Sequence, residues 1–287
     1  MRTGTLKAAG TDRGVPREPA APRGRFTDLL AAEWIKLRTL RSTWWSLLAG
    51  ALAVLAFNIG TAYDTYRYWQ PGSDRERYLA DGIPLLHAFT ANGALVLALF
   101  AGGFGALAVT GEYTSGLART TFAAVPARRQ VMAAKAIVLT AVTVPFGAAV
   151  AAASFWATQA ILHRVGIGVP LGHPGALRVL VASALLAPVC ALVGAAFGTL
   201  LRHGPGAVLA AVALLQLAPL VLTDDRRWSA VLDHATVMSA WDRLTDPVYR
   251  AADVAHPWSE GGAWTTLVLS ALVAAVVAVA AEHRRDL

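Results

Sequence analysis

The chain has 287 residues, 56% of them hydrophobic and 15% charged, with a formal net charge of +7. So apolar a composition excludes an ordinary soluble domain and makes a membrane protein the starting expectation. The positive balance does not point to nucleic acid, because the basic residues flank apolar runs instead of forming a stripe interleaved with stacking aromatics.

Residues 1–25 are rich in Arg, Pro, Gly and Ala and contain no apolar run. They cannot supply the apolar region of a signal peptide or bury a core, so a disordered basic cytoplasmic tail is expected. Its charge either serves topology or binds anionic lipid weakly. From Phe26 the pattern changes: Phe26, Leu29, Leu30, Trp34, Leu37 and Leu40 recur at helical steps, with Asp28, Glu33, Lys36 and Arg41 mostly between them. This predicts an amphipathic helix in the interface, with Lys36, Arg38 and Arg41 available to headgroups.

A spanning helix needs ~20 mostly apolar residues to cross ~30 Å of hydrocarbon. Six segments meet that length, at 44–63, 84–109, 131–162, 176–201, 205–222 and 263–281. Trp44 and Trp45 at one end of the first, and Tyr63, Tyr66, Tyr68 and Trp69 at the other, have the placement of interfacial aromatic belts. Sixteen of the 25 Lys and Arg residues fall on the side of the N-terminal segment, the 111–129 loop and the C-terminus. The positive-inside rule then places both termini and that loop in the cytoplasm, and an even number of spans agrees. In the longest exterior connection, 223–262, Trp228, Val231, Leu232, Ala235, Met238 and Trp241 keep helical spacing. They predict one short amphipathic helix, either an interfacial helix anchored by the two tryptophans or a cap over a pathway.

Chemistry-bearing residues are sparse. The polar set within the spans is Asn58, Asn92, Ser154, Gln159, Ser183, Gln216 and a few threonines, with no facing carboxylates, histidines or lysines evident for proton relay or hydrolysis. The seven histidines are scattered without metal spacing, so no metal site is expected. Cys190, the only cysteine, lies in an apolar run and reads as a packing residue. No GxxxxGK[ST] loop occurs, so any ATP used must be bound by another chain. Gly102 and Ala106 form a small-xxx-small pair, suited to close helix packing or to lining a path. Pro145, Pro188 and Pro219 interrupt the backbone hydrogen bonding of spans three to five.

The stretch GEYTSGLARTTFAAVPARR, Gly111 to Arg129, is too polar to join either neighbouring span. Gly111 permits a sharp exit from span two, Thr114 or Ser115 can cap a following turn, and Leu117, Thr121 and Ala124 or Val125 share a face of a short helix. Pro126 suits the start of the next helix. Held by two spans, such an element is either a lever or a loop whose charges merely serve topology.

Together with AEWIKLRTLRSTWW before span one and the Lys-started third span, this loop resembles the ABC-2 type permease subunits of ABC transporters, especially the compact bacterial six-span kind. The resemblance covers nearly all of the chain after residue 25. It implies a permease homodimer or pseudo-dimer in the cell inner (plasma) membrane, each copy docked on a separate cytoplasmic ABC ATPase subunit that binds ATP and Mg, with export along the permease interface. On the matching positions, Glu112, Tyr113, Gly116, Leu117, Arg119, Pro126 and Arg128 belong to the coupling region, Glu112 lying near the cytoplasmic gate. The long exterior loop departs from the shortest members. The expectation is therefore an all-α polytopic protein with six transmembrane helices over 26–287, an N-terminal interfacial helix and a short cytoplasmic coupling helix. Its expected function is that of an exporter's permease subunit with no catalysis of its own. A membrane scaffold without a transport cycle is the alternative, and a secondary transporter would need intramembrane charges or paired broken helices.

Overall fold

The helix Ala176–Leu201 is apolar on every side and built largely of Ala, Val, Gly and Leu, a composition that suits a helix enclosed by others. In the computed structural model, which describes residues 25–70, 72, 74–117, 121, 127–222 and 226–281, it is the central post and touches most of the other spans.

In chain order the elements are α1 (Phe26–Thr39), α2 (Arg41–Arg67), α3 (Arg75–Ala80), α4 (Ile83–Ala88), α5 (Ala91–Thr114), α6 (Arg128–Leu162) and α7, the central post. After it come α8 (Gly204–Val212), a π turn (Ala213–Leu217), α9 (Ala218–Val221), α10 (Arg227–His234), α11 (Val237–Thr245) and α12 (Glu260–Ala281). No strand occurs among the described residues, and six helical stretches are long and apolar enough to cross a membrane. The protein is an all-α polytopic membrane protein. The spans coincide with the six expected segments: the first, second, third and sixth are longer by a few residues, the fourth is the same, and the fifth is shifted by one residue.

Close packing between α5 and α7 forms the centre. A Cβ added at Gly194 would run into the Gly102 carbonyl, and one at Gly105 into the Ala191 carbonyl, so the two backbones touch where side chains are missing. Gly102 and Ala106 are therefore packing residues, as is the fully buried Cys190. The polar residues of the spans act as staples. Asn58 accepts from the Thr90 amide and hydroxyl at 3.0 and 2.7 Å and donates to Ser154 at 2.8 Å. Ser154 donates in turn to the Ala88 carbonyl at 2.7 Å. Gln159 donates to the Pro84 carbonyl and accepts from the Val169 amide. Asn58 and Ser154 thus satisfy backbone groups freed where span two breaks between α4 and α5, a break that apolarity alone does not reveal, and Gln159 ties the start of α4 to the segment after span three.

Two further elements differ from expectation. Pro219 lacks the N–H that would bond the Leu215 carbonyl, and the helix widens into the π turn just before it. The connection after span five forms two helices, because Thr236 caps α11 by accepting from the Ser239 amide at 3.2 Å. Trp228 and Val231 on α10 are exposed, whereas Trp241 is 3% exposed, donates its indole N–H to Ser183 and packs edge-on against Phe89. Trp241 is thus a core residue and not an interfacial anchor.

Gly194→Ala is expected to force α5 and α7 apart, costing about 1–3 kcal/mol in the manner of an overpacked core. Gly103→Ala, where a Cβ meets no atom within 4 Å, should leave the thermal midpoint unchanged. Fluorescence-detected thermal unfolding of the two variants checks the contrast.

Candidate functional site

Four charged side chains from three helices meet at the end of the bundle where α1, the end of α5 and the start of α6 converge. Glu33 and Lys36 lie one turn apart on α1 and so share a face. Glu112 stands in the last turn of α5, and Lys135 is two turns into α6. The Lys36 ammonium lies 2.6 Å from Glu33 and 3.1 Å from Glu112. The Lys135 ammonium lies 2.5 Å from the other Glu33 oxygen and 2.8 Å from Glu112. The result is a closed ring of alternating sign and zero net charge, with Glu33 only 4% and Lys135 only 7% exposed. Burial opposes the charge of Lys36, but the Glu33 and Glu112 carboxylates outweigh it and raise its pKa, so it stays protonated at neutral pH.

This ring corrects two expectations. Lys36 is committed to carboxylates and is not available to headgroups, and Glu33 faces α6 instead of water. Facing charges, which the sequence does not make evident, do exist here, formed at the ends of spans two and three with the help of α1. Glu33 and Lys135 are 102 positions apart. The one local signal was that each charge stands among alanines, in Ala31-Ala32-Glu33 and Ala133-Ala134-Lys135-Ala136, where a solvated charge is out of place.

Around the ring the packing is apolar and aromatic. Tyr113 packs with Leu29 and Val131. The Arg202 guanidinium lies 5.2 Å from the Tyr113 ring centroid, within cation–π reach. Arg202 joins α7 to α8 with φ of 53°, the one non-glycine residue with positive φ among those described. A left-handed arginine costs ~1–2 kcal/mol and holds only where its surroundings fix it. One node thus gathers the interfacial helix, the end of span two, the start of span three and the turn between spans four and five.

The expected coupling residues fall partly within this node. Glu112 is a member of the ring, Tyr113 packs beside it, and Arg128 opens α6. Gly111 does not make a sharp exit: α5 continues to Thr114, and the turn comes at Gly116, whose φ of 75° is left-handed. Thr114 and Ser115 do not cap a following turn. Their hydroxyls donate backward to the Gly111 carbonyl at 3.1 and 2.8 Å, closing the end of α5. Leu117 is exposed and Thr121 half-buried, while Arg119, Pro126, Ala124 and Val125 lie outside the described residues. Among the described residues no group of three or more His, Cys, Asp or Glu side chains is placed to hold a metal. Neither models of known protein families nor curated proteins match the chain.

The ring's lysines and carboxylates neutralise one another, and each helix is joined to the others by charge. Removing one member of a buried pair leaves an uncompensated charge and costs about 3–5 kcal/mol. Lys135→Met is expected to lower stability by that amount. The double variant Glu33→Leu/Lys135→Met keeps the neutral Lys36–Glu112 pair and should recover much of the loss. A double-mutant cycle measured by denaturation in detergent yields the coupling energy, and strictly additive losses would show that the ring is not a unit.

Proposed function

We propose that this protein is the permease subunit of an ATP-driven exporter of the ABC-2 type, working with a separate ATPase subunit. The observation that carries the reading is the four-charge ring. The stretch 111–129 is held between α5 and α6, and the ring fastens the ends of those two helices to each other and to α1. A push on this stretch would move the three as one body. The resemblance of GEYTSGLARTTFAAVPARR and AEWIKLRTLRSTWW to the permease subunits supports the same reading, and so does the lack of a phosphate-binding loop.

In this proposal the ring end of the bundle faces the cytoplasm, where basic residues predominate, in the inner membrane. Two permease copies each dock an ATPase through residues 111–129. ATP, with Mg, is bound by the partner, and ATP-driven closure displaces the two docking stretches. Nucleotide can shift the permease between states only if its contacts with the partner differ between them. Arg119, Leu117 and Arg128 are the residues proposed to make those contacts. Glu112 acts behind them, passing displacement from α5 through Lys135 and Lys36 to α6 and α1. Tyr113 and Arg202 extend the connection to the turn between spans four and five.

Co-expression with a candidate ABC ATPase subunit from the same genome tests the proposal. The two chains should co-purify, and reconstituted pairs should show ATPase activity that Arg119→Glu lowers at least about tenfold without moving the permease's thermal midpoint. An ATPase that neither associates nor responds to the permease would sink the reading in favour of a scaffold. The orientation has its own check. In a Cys190→Ala background, Val231→Cys should react with an impermeant maleimide in intact cells, and Ser115→Cys only after permeabilisation.

A further inference from the structure

Between α2 and α6 runs an open apolar groove of about 530 Å³. Trp34 and Trp44 stand at its mouth, Leu48 along one wall, and Pro145, Ala149 and Ala153 along the other. The alanines make the groove, since a larger residue at either exposed position would fill it. From these features we infer that the groove is a binding site for one acyl chain of an anionic phospholipid, whose phosphate is held by Arg38 and Arg41.

Three observations choose this occupant. The first is length. On α2 the groove extends from Trp44 to Leu55, and at ~1.5 Å per residue that is about 16 Å, close to half of the ~30 Å hydrocarbon core. One leaflet's chain fits that length, whereas a spanning helix from a second copy would need the full thickness.

The second is the mouth. Tryptophans sit where hydrocarbon meets headgroups. The Trp44 indole N–H donates to the Arg38 carbonyl at 3.2 Å, which fixes the corner between α1 and α2 at that level. The third is charge. Arg38 follows Trp34 by four residues and Arg41 precedes Trp44 by three, so each arginine shares a helix face with a tryptophan of the mouth. Both arginines are exposed, and neither has an ion-pair partner among the described residues. The nearby acids are engaged elsewhere: Glu33 and Glu112 in the ring, and Asp28 by the Arg25 amide at 2.8 Å. Two unpaired guanidiniums above an apolar slot match a phosphodiester and its chain.

The site is tested on the full-length protein in detergent, titrated with dioleoyl phosphatidylglycerol or dioleoyl phosphatidylcholine in mixed micelles and read by native mass spectrometry and thermal unfolding. The wild type should retain phosphatidylglycerol at least about tenfold more strongly than phosphatidylcholine and gain thermal stability from it. Arg38→Gln/Arg41→Gln, at exposed positions, should lose that preference while keeping the helical circular dichroism of the wild type. Ala149→Phe/Ala153→Phe, which fills the slot, should retain neither lipid. Equal retention of the two lipids by the wild type overturns the inference, and so does unchanged retention in both variants. If the filled-groove variant instead turns a dimer into a monomer with lipid retention intact, the groove belongs to a second copy and the inference is wrong.

Discussion

The alternating ring of Glu33, Lys36, Glu112 and Lys135 is the constraint on which one end of this bundle depends. Charges withdrawn from water are tolerated only when paired, and here each ammonium meets two carboxylates and each carboxylate two ammoniums. Alternation has a consequence for register. Exchanging any two neighbours around the ring leaves like charges adjacent, so only the native order or its complete inversion satisfies all four contacts. A rotation of α1, or a slip of α6 by one residue, would leave a lysine or a glutamate buried without its partner. Apolar packing alone, which tolerates small slides, would not fix these three helices so closely.

The rest of the molecule relies on contact instead of charge. Lipid tails are as apolar as leucine, so helices in a bilayer gain little from burying apolar surface and associate through close packing and hydrogen bonds. The α5–α7 contact uses the first means, with glycines set against opposing carbonyls. The Asn58–Thr90–Ser154 and Gln159 staples use the second, the former satisfying backbone groups at the break in span two and the latter holding the start of α4. One end of the bundle is therefore pinned by charge, the middle by small residues, and the far end by side-chain amides and the inserted Trp241. If force enters at residues 111–129, it meets the charged end first, and the closely packed post Ala176–Leu201 stands next in line.

Much of this architecture was legible in the residues because hydrocarbon imposes a strict length and composition on whatever crosses it. The six spans, the interfacial helix from Phe26 and the polar interruption after span two all follow from that requirement. What was not legible lay in local exchanges of hydrogen bonds. The end of α5 at Gly116 instead of Gly111 depends on hydroxyls bonding backward, which Thr114 and Ser115 can do as readily as they can cap a new turn. The break between α4 and α5 depends on an asparagine from another helix. The stretch from Trp228 to Trp241 is helical as its spacing predicts, but Thr236 divides it: Trp228, Val231 and Leu232 of its first half are exposed, and Trp241 of its second half enters the core.

The sequence by itself determined the class of the protein, the number of its spans and the place where the chain leaves the apolar phase, since each is a property of a continuous stretch and its transfer energy. The tertiary structure alone decided which charges meet. Glu33 and Lys135 stand on separate helices, and the alanines around each mark it as out of place in water without naming its partner. Their partnership exists only because α1, α5 and α6 converge, and a contact made by convergence has no period or spacing along the chain from which to read it.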